Sequence, residues 1–543
     1  MNCDAGTEQE HRIFRRRISI QELKIIQGHV IPALKSLPSD YVDCIVTSPP
    51  YWGLRDYGEE TVTIWDAKEG CEHEWGDWKE KHDIREESIT GKTRTTDRFY
   101  DDESRRFDGN HQKHTAGQFC QKCGAWRAQL GLEPSLELYL KHLLQVTAEL
   151  KRVLKPSGVM FWNHGDSYGG SQGRGAGKGN EHNQMVNQQA SGEKCLNMQN
   201  YRLIQRMIDE QGWILRNIIP WVKPNHMPSS VKDRFTNGYE PIFMLTKNNK
   251  PLYYWNERTG LMADRPPSER IEGRDWEWRE VGSDYSECDT KITENEAEMF
   301  CSPRARKHRD RKIKKYSFWH SLDYWFDLDA VREPFTAPLN RWGGNNVKIP
   351  ENTKWDDARE KERWQMSIRD RESRPNPSGK NPGDVWTIPT QPFPDAHFAV
   401  FPEAIPERAI KCSCPAEICT ECGKARVRIT KPSDRYQDLL GQSWHPHLDD
   451  EKRGNSRKGL GHLEGATAEY ETIGWTTCEC NAEFRPGITL DLFLGSGTTM
   501  EVARRLGMSC IGIEISQKYV KMAKKEVGWS EGLFGISFNE VVV

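Results

Sequence analysis

The sequence lacks any run of about 18 apolar residues that could cross a bilayer, and its first 17 residues lack the apolar core of an export signal. Hydrophobic residues make up only 36% of the 543 residues, so much of the chain must be surface, loop or insertion. These absences exclude membrane-spanning and exported classes of protein. They predict a soluble cytoplasmic protein of two or three domains.

The sequence also lacks an excess of basic residues, because 77 Lys and Arg stand against 80 Asp and Glu. That balance does not exclude DNA binding, since phosphate contacts need only a local basic surface. Residues 302–315 hold eight Lys or Arg between the aromatic groups DWEW and YSFWH. A solvated charge run is the alternative, but the position favours DNA contacts by Arg304, Arg306, Lys307, Arg309, Arg311 and Lys312.

A glycine loop, DLFLGSGTT (491–499), lies between a strand pattern and a helix pattern. The free N–H groups at the start of such a helix suit a carboxylate or phosphate. Glu514 ends the next strand, where Rossmann-type folds place an acid on a ribose hydroxyl. Neither a third glycine at dinucleotide spacing nor a G-K-[ST] loop is present. The pattern therefore favours a nucleoside with an amino-acid tail over NAD or ATP.

A second loop, TSPPYW (47–52), follows the apolar run DCIV, which is typical of a buried parallel strand. The Ser48 side chain and the Pro49 carbonyl could accept both hydrogens of an amino group, and Pro50 stiffens the loop. Tyr51 offers a face for a base turned out of the duplex. An ordinary Pro-Pro turn is the alternative interpretation of the loop alone.

Together, TSPPYW and DLFLGSGTT resemble the amino-methyltransferases that act on N4 of cytosine or N6 of adenine in DNA. The catalytic motif comes first, which resembles the permuted β-group order, and the similarity extends through NHGDSY, WVKPNHMPSSVKDRFTNGYEPIFML and GDVWTIPTQPFPDAHFAVFPEAIP. The resemblance departs at Leu492 and His29, where proline and aspartate are frequent. It implies that the base is held by Ser48, Pro49, Pro50 and Tyr51. It also implies S-adenosylmethionine contacts at Asp491, Phe493, Gly495, Ser496, Gly497, Thr498, Glu514, His397, Phe398, Phe401 and Pro402.

The expected fold is α/β and Rossmann-like, with a mostly parallel seven-strand sheet in the permuted motif order. We assign residues 18–53 and 131–249 to the catalytic half, and residues 383–411 and 486–530 to the cofactor-binding half. The polar stretch 250–382 is the expected target-recognition region. Residues 54–130 and 412–485 are insertions that carry cysteines.

Seven of the fifteen cysteines, together with one histidine, fall into two close-spaced groups, which favours structural zinc over disulfides. Free buried thiols are the alternative for each group, and Cys412 and Cys414 are alternative ligands near the second. The predicted ligands are Cys71, His73, Cys120 and Cys123 in one group, and Cys419, Cys422, Cys478 and Cys480 in the other.

The sequence thus predicts methyl transfer to a flipped base in double-stranded DNA. N4 of cytosine is preferred because serine at the head of S-P-P-Y resembles the cytosine enzymes more than the aspartate that is usual in the adenine enzymes. N6 of adenine is the first alternative, since both amino groups need the same acceptors. A dehydrogenase would leave S-P-P-Y unexplained, whereas a zinc-braced DNA-binding module with an inactive core stays open. The sequence has no evident signature of a partner endonuclease, and it leaves a homodimer open.

Overall fold

The computed structural model describes residues 20–53, 57–76, 79–81, 114–169, 194–229, 231–281, 312–333, 381–391, 401–432, 470–529 and 536–543. The chain divides into two compact units. Unit 1 comprises residues 1–249, 384–418 and 483–543, and unit 2 comprises residues 250–383 and 419–482. Over the described ranges, every helix is too short or too polar to span a bilayer.

The regular elements are numbered here in chain order. The helices are α1 (Val30–Lys35), α2 (Leu136–Val153), α3 (Gln199–Gln211), α4 (Ala404–Ser413), α5 (Thr498–Arg505) and α6 (Gln517–Glu526). The strands are β1 (Gln21–Gln27), β2 (Val42–Thr47), β3 (Thr63–Trp65), β4 (Lys79–Lys81), β5 (His114–Phe119), β6 (Trp126–Ala128), β7 (Leu154–Asn163), β8 (Ile214–Val222), β9 (Tyr239–Thr246), β10 (Tyr253–Asn256), β11 (Met262–Ala263), β12 (Trp276–Val281), β13 (Lys312–Ser317), β14 (Trp319–Leu322), β15 (Trp386–Thr387), β16 (Ile418–Cys419), β17 (Arg428–Pro432), β18 (Tyr470–Trp475), β19 (Phe484–Arg485), β20 (Ile488–Asp491), β21 (Ser509–Glu514) and β22 (Ile536–Val542).

The main sheet of unit 1 has the strand order β15-β8-β9-β7-β2-β20-β21-β1-β22. Its pairs are parallel except for those of β9, which runs antiparallel to both β7 and β8. The mostly parallel sheet is as expected, but the number of strands is wrong, because nine described strands replace the seven predicted. The sheet is wider since β22 pairs with β1 at one edge and the two-residue β15 pairs with β8 at the other.

Strands β2 and β20 are neighbours at the centre of this sheet, although they lie far apart in sequence. They pair in parallel through Cys44 with Thr489 and Ile45 with Leu490. All six residues of β2 are buried, as its continuous apolar pattern predicts for a strand covered on both faces. Because parallel strands end at the same edge, the loops after Thr47 and Asp491 emerge side by side.

The helix α2 covers one face of the sheet. Its N-cap is Ser135, whose side chain accepts the N–H of Leu138, and a stripe of leucines from Leu136 to Leu150 is buried. Strand β7 begins directly after this helix, at Leu154, which pairs with Val42 of β2.

The predicted insertion 54–130 contributes a small antiparallel sheet to unit 1, with the order β3-β6-β5-β4. Two tryptophans of this sheet, Trp65 and Trp126, are buried and stack on His142 of α2, with ring centroids 4.8 Å and 5.5 Å away. The His142 ring is held by Glu133, whose carboxylate lies 2.9 Å from its Nδ1. The inserted segment is therefore packed into the core of unit 1.

Unit 2 consists of small antiparallel sheets, which pair β10 with β11 and β14, β12 with β13, and β17 with β18. The Trp276 side chain of the predicted aromatic group is covered by the ammonium of Lys315 at 3.8 Å. The basic residues Arg304, Arg306, Lys307, Arg309 and Arg311 lie outside the described residues, and Lys312 begins β13.

Candidate active site

A cavity of about 710 Å³ opens at the carboxyl ends of the central strands of unit 1. All four predicted base-holding residues, Ser48 to Tyr51, line it. The predicted cofactor residues Phe401, Phe493, Gly495, Ser496, Thr498 and Glu514 line it as well. His397 and Phe398 fall outside the described residues, while Pro402, Asp491 and Gly497 are described but are not among the lining residues. The fold thus brings both loops to one cavity.

Asp491 lies behind the cavity and joins its two sides. Its carboxylate accepts hydrogen bonds from the Thr47 hydroxyl at 2.8 Å, the Thr499 hydroxyl at 2.6 Å and the Phe493 N–H at 3.2 Å. Burial raises the pKa of Asp491 to about 6, although the hydroxyl donors act in the opposite direction. Its geometry is that of a residue that positions both loops.

Gly497 has a structural reason to be glycine. Its φ is +97°, a conformation that L side chains rarely adopt. A Cβ at this position would lie 2.8 Å from the Cα of Ala523 in α6. The glycine therefore allows α5 to begin directly after the loop while α6 packs against it.

Glu514 ends β21 and faces the cavity from the cofactor loop side. Its carboxylate accepts the N–H of Gly495 at 2.8 Å and the N–H of Ser516 at 2.9 Å. Burial raises the pKa of Glu514 to about 7, and these backbone donors offset part of the rise. The arrangement fixes the carboxylate at the rim of the glycine loop, where it can accept a further hydrogen bond.

The S-P-P-Y loop is held rigidly by its surroundings. The Trp52 indole donates to the Glu133 carbonyl at 2.8 Å, and the Tyr139 hydroxyl donates to the Pro50 carbonyl at 2.7 Å. Gly165 leaves room for Tyr51, since a Cβ there would lie 2.6 Å from the tyrosine ring. These contacts preorganise the loop before any ligand binds.

A chain of hydrogen bonds leads from Ser48 across the cavity wall. The Ser48 hydroxyl donates to the Tyr51 oxygen at 3.2 Å, and the Tyr51 hydroxyl donates to Oε2 of Glu240 at 3.0 Å. The other oxygen of Glu240 forms an ion pair with Lys223. Sequence reasoning missed both charged residues. The sequence signal that could have identified them is a charged residue at one end of each apolar strand. Lys223 is the last residue of WVK, and Glu240 is the second residue of YEPIFML.

The wall formed by the insertion was also missed. Tyr57, Thr61, Thr63 and Trp65 line the cavity, and Glu60 bonds the hydroxyl of Ser516, the N-cap of α6. The inserted segment therefore helps to shape the site, which its polar composition did not reveal.

His29 lines this cavity beside Trp65, with ring centroids 4.5 Å apart. Its Nδ1 accepts the Ile31 N–H and caps α1, so the neutral ring carries its proton on Nε2. Burial, with a smaller contribution from His142, lowers the pKa of His29 to about 4. Its position is thus that of a neutral hydrogen-bond donor at the cavity.

Both cysteine groups converge in space. In each group, the four candidate ligand atoms lie within 4.8 Å of one another, as a single tetrahedral ion requires. The alternative ligands lie elsewhere: the Cys412 thiol donates to the Ala409 carbonyl, and the Cys414 sulfur accepts the Thr489 hydroxyl. The converging groups are Cys71, His73, Cys120 and Cys123 in unit 1, and Cys419, Cys422, Cys478 and Cys480 in unit 2.

The chain matches the model of the N6/N4 DNA methylase family over residues 42–417 and 481–525, which is more than half of its length. It is 26% identical over 417 residues to the type II methyltransferase M.SfiI of Streptomyces fimbriatus, covering 72% of this chain and 79% of that one. It is 22% identical over 515 residues to M.SmaI of Serratia marcescens, covering 94% and 92%. It is 31% identical over 255 residues to M.Cfr9I of Citrobacter freundii, covering 46% and 62%. The chain belongs to this DNA methylase family and is an S-adenosylmethionine-dependent DNA amino-methyltransferase.

Proposed function

We propose that this enzyme methylates N4 of a cytosine flipped out of double-stranded DNA, as the modification enzyme of a type II system. The observation that carries the choice of base is serine at the head of S-P-P-Y, with its hydroxyl at the cavity beside Tyr51. The Ser48 oxygen and the Pro49 carbonyl would hold the amino hydrogens, which turns the nitrogen lone pair toward the methyl group. The Tyr51 ring would stack on the base, worth about 1–3 kcal/mol.

The residues of the opposite wall fit S-adenosylmethionine. Glu514 would accept the ribose hydroxyls, and the N–H groups at the start of α5 would bind the carboxylate of the amino-acid tail. His29, whose Nε2 is buried and lacks a protein acceptor in the described part of the chain, would donate to the cofactor. When bound, the cofactor supplies an electrophilic methyl group on a sulfonium centre. The protein contributes position and orientation.

We further propose that each cysteine group binds one structural zinc ion. Four protein ligands close each site, so neither ion would take part in methyl transfer. The first ion would brace the small sheet whose β3 lines the cavity, and the second would brace the sheet β17–β18 of unit 2. Metal analysis of the purified enzyme is expected to give two zinc ions per chain, and substitution of Cys120 or of Cys419 by serine should each remove one. Zinc well below one per chain would contradict the proposal.

Target recognition is proposed for residues 250–382, with Arg304, Arg306, Lys307, Arg309, Arg311 and Lys312 on the phosphates. The support is the basic run itself, which would make DNA affinity fall steeply with salt. Replacing the first three of these basic residues by glutamine should weaken binding to all DNA sequences alike and flatten the salt dependence.

The experiment that tests the choice of base is to incubate unmethylated duplex DNA with the enzyme and S-adenosylmethionine and to identify the modified nucleoside by mass spectrometry. N4-methylcytosine in one sequence context supports the proposal. N6-methyladenine would replace the cytosine assignment while leaving the family assignment intact. Binding of cofactor and DNA without any methylated product would indicate an inactive core.

A further inference from the structure

We propose that Ser48, Tyr51 and Glu240 form a proton relay, which carries the proton released by the methylated amino nitrogen to the Glu240 carboxylate. The inference rests on the proposed placement of the base against Ser48, and it adds a residue from β9 to the reaction. Glu240 acts through Tyr51 and is therefore a positioning and relay residue that does not itself touch the base.

The reaction requires such an acceptor. The nitrogen lone pair forms the new bond to the methyl carbon as the carbon–sulfur bond breaks, and the electrons of that bond stay on sulfur. The nitrogen then carries a positive charge and must lose one of its protons. A serine hydroxyl is a poor final acceptor, because its protonated form is a strong acid. Ser48 can take the proton only if it gives its own away in the same event.

The hydrogen bonds of the structure run in the direction that this transfer needs. Ser48 donates to Tyr51 and Tyr51 donates to Glu240, so each hydroxyl proton moves one step outward as the amino proton arrives. The product is a protonated Glu240, with both hydroxyls restored. Burial, followed by the nearby Glu240 charge, raises the pKa of Tyr51 well above its ordinary value, so the phenol stays neutral and passes a proton on.

Lys223 holds the far end of the relay. Its ammonium pairs with the Glu240 oxygen that Tyr51 does not use, and it lies 4.2 Å from the centre of the Trp221 ring. The side chains of Glu240 and Lys223 are 25% and 18% exposed, so the carboxylate can return its proton to water after each turnover.

The other acids of the cavity are unsuited to this role. Three acids line the described part of the cavity, namely Asp166, Glu240 and Glu514. Asp166 already accepts the N–H groups of Ser167, Met198 and Gln199, which fixes the start of α3. Glu514 accepts two backbone N–H groups beside the glycine loop.

His164 is also excluded as the final base. Its Nδ1 accepts the Trp162 indole N–H and its Nε2 lies 3.1 Å from the Tyr139 hydroxyl. Burial lowers the pKa of His164 to about 3, so the ring would take up a proton poorly.

The test is Glu240→Gln, which keeps an oxygen to accept the Tyr51 hydroxyl but cannot take a proton at neutral pH. We expect a loss of about 100-fold in the single-turnover rate, the scale of acid–base catalysis. Affinity for S-adenosylmethionine should stay within twofold. Glu240→Asp should recover part of the rate.

Tyr51→Phe removes the middle of the relay while keeping the aromatic face for the base. Its single-turnover rate should fall by a similar factor. The double variant Tyr51→Phe, Glu240→Gln should be little slower than either single variant. Glu149→Gln is the matched control, because Glu149 is also ion-paired, to Arg152, and its side chain is 21% exposed outside the cavity. It should keep the wild-type rate.

An unchanged single-turnover rate in Glu240→Gln, or losses that multiply fully in the double variant, would overturn the relay. These outcomes are distinct from failure of the proposed base, because wild-type enzyme would still methylate DNA and the product would identify the base. The relay can be tested in the same way on adenine.

Discussion

The two walls of the cavity present different kinds of group to the ligands that we propose for them. The base wall carries side-chain oxygens on a proline-stiffened loop, Ser48 and Tyr51, backed by a charged pair on neighbouring strands. The cofactor wall carries backbone N–H groups and one carboxylate, Glu514, that the backbone itself orients. Under this proposal, single side chains set the chemistry on one wall, whereas chain conformation sets the binding on the other.

The largest effect confined to one wall is expected from Ser48→Ala, which should lower the rate without changing cofactor affinity. Loss of the hydroxyl removes an acceptor of the amino group and the first step of the relay, so the single-turnover rate should fall by about 100-fold or more. Cofactor affinity, measured by calorimetry, should be unchanged because the opposite wall is intact. Normal turnover in this variant would remove Ser48 from the reaction.

Glu514→Gln should give the opposite pattern, with a smaller effect. We expect cofactor affinity to fall by about tenfold, the value of one charge-assisted hydrogen bond, while the rate at saturating cofactor changes little. Because the pKa of Glu514 is about 7, the carboxylate ionises between pH 6 and pH 8. Wild-type affinity should therefore rise with pH across this range, and the variant should lack that rise. Equal pH dependence in both proteins would argue against a contact between Glu514 and the cofactor.

The smallest effect on function is expected from Thr47→Val, which removes the hydrogen bond from the Thr47 hydroxyl to Asp491 that joins the two walls. Valine keeps the shape but leaves Asp491 without one of its three donors. The free energy of unfolding should fall by about 1–3 kcal/mol, measured with urea. Rate and cofactor affinity should both decline, each by less than in the two preceding variants. A change in only one of them would mean that Asp491 serves one wall alone.

The parts of the site that could be predicted from the sequence are those formed by short, continuous motifs. TSPPYW and DLFLGSGTT each combine a strand end with a turn that prolines or glycines favour, so their placement at one sheet edge follows from the strand pattern. The contact between Tyr51 and Glu240 joins residues 189 positions apart, and it depends on the antiparallel pairing of β9. No local pattern encodes that register. The wall made by residues 57–65 was missed for the same reason, because its packing depends on tryptophans meeting His142.

The position of β20 between β2 and β21 in the main sheet has a consequence for protein synthesis. Thr47 and Asp491 are 444 residues apart, so at ordinary translation rates the ribosome needs about 20–90 s to pass from one to the other. During that interval the edge of β2 that later pairs with β20 stays open and can pair incorrectly. The cavity can form only when β20 and β21 arrive. Methylation of DNA must therefore lag behind the start of synthesis of each molecule by at least that time.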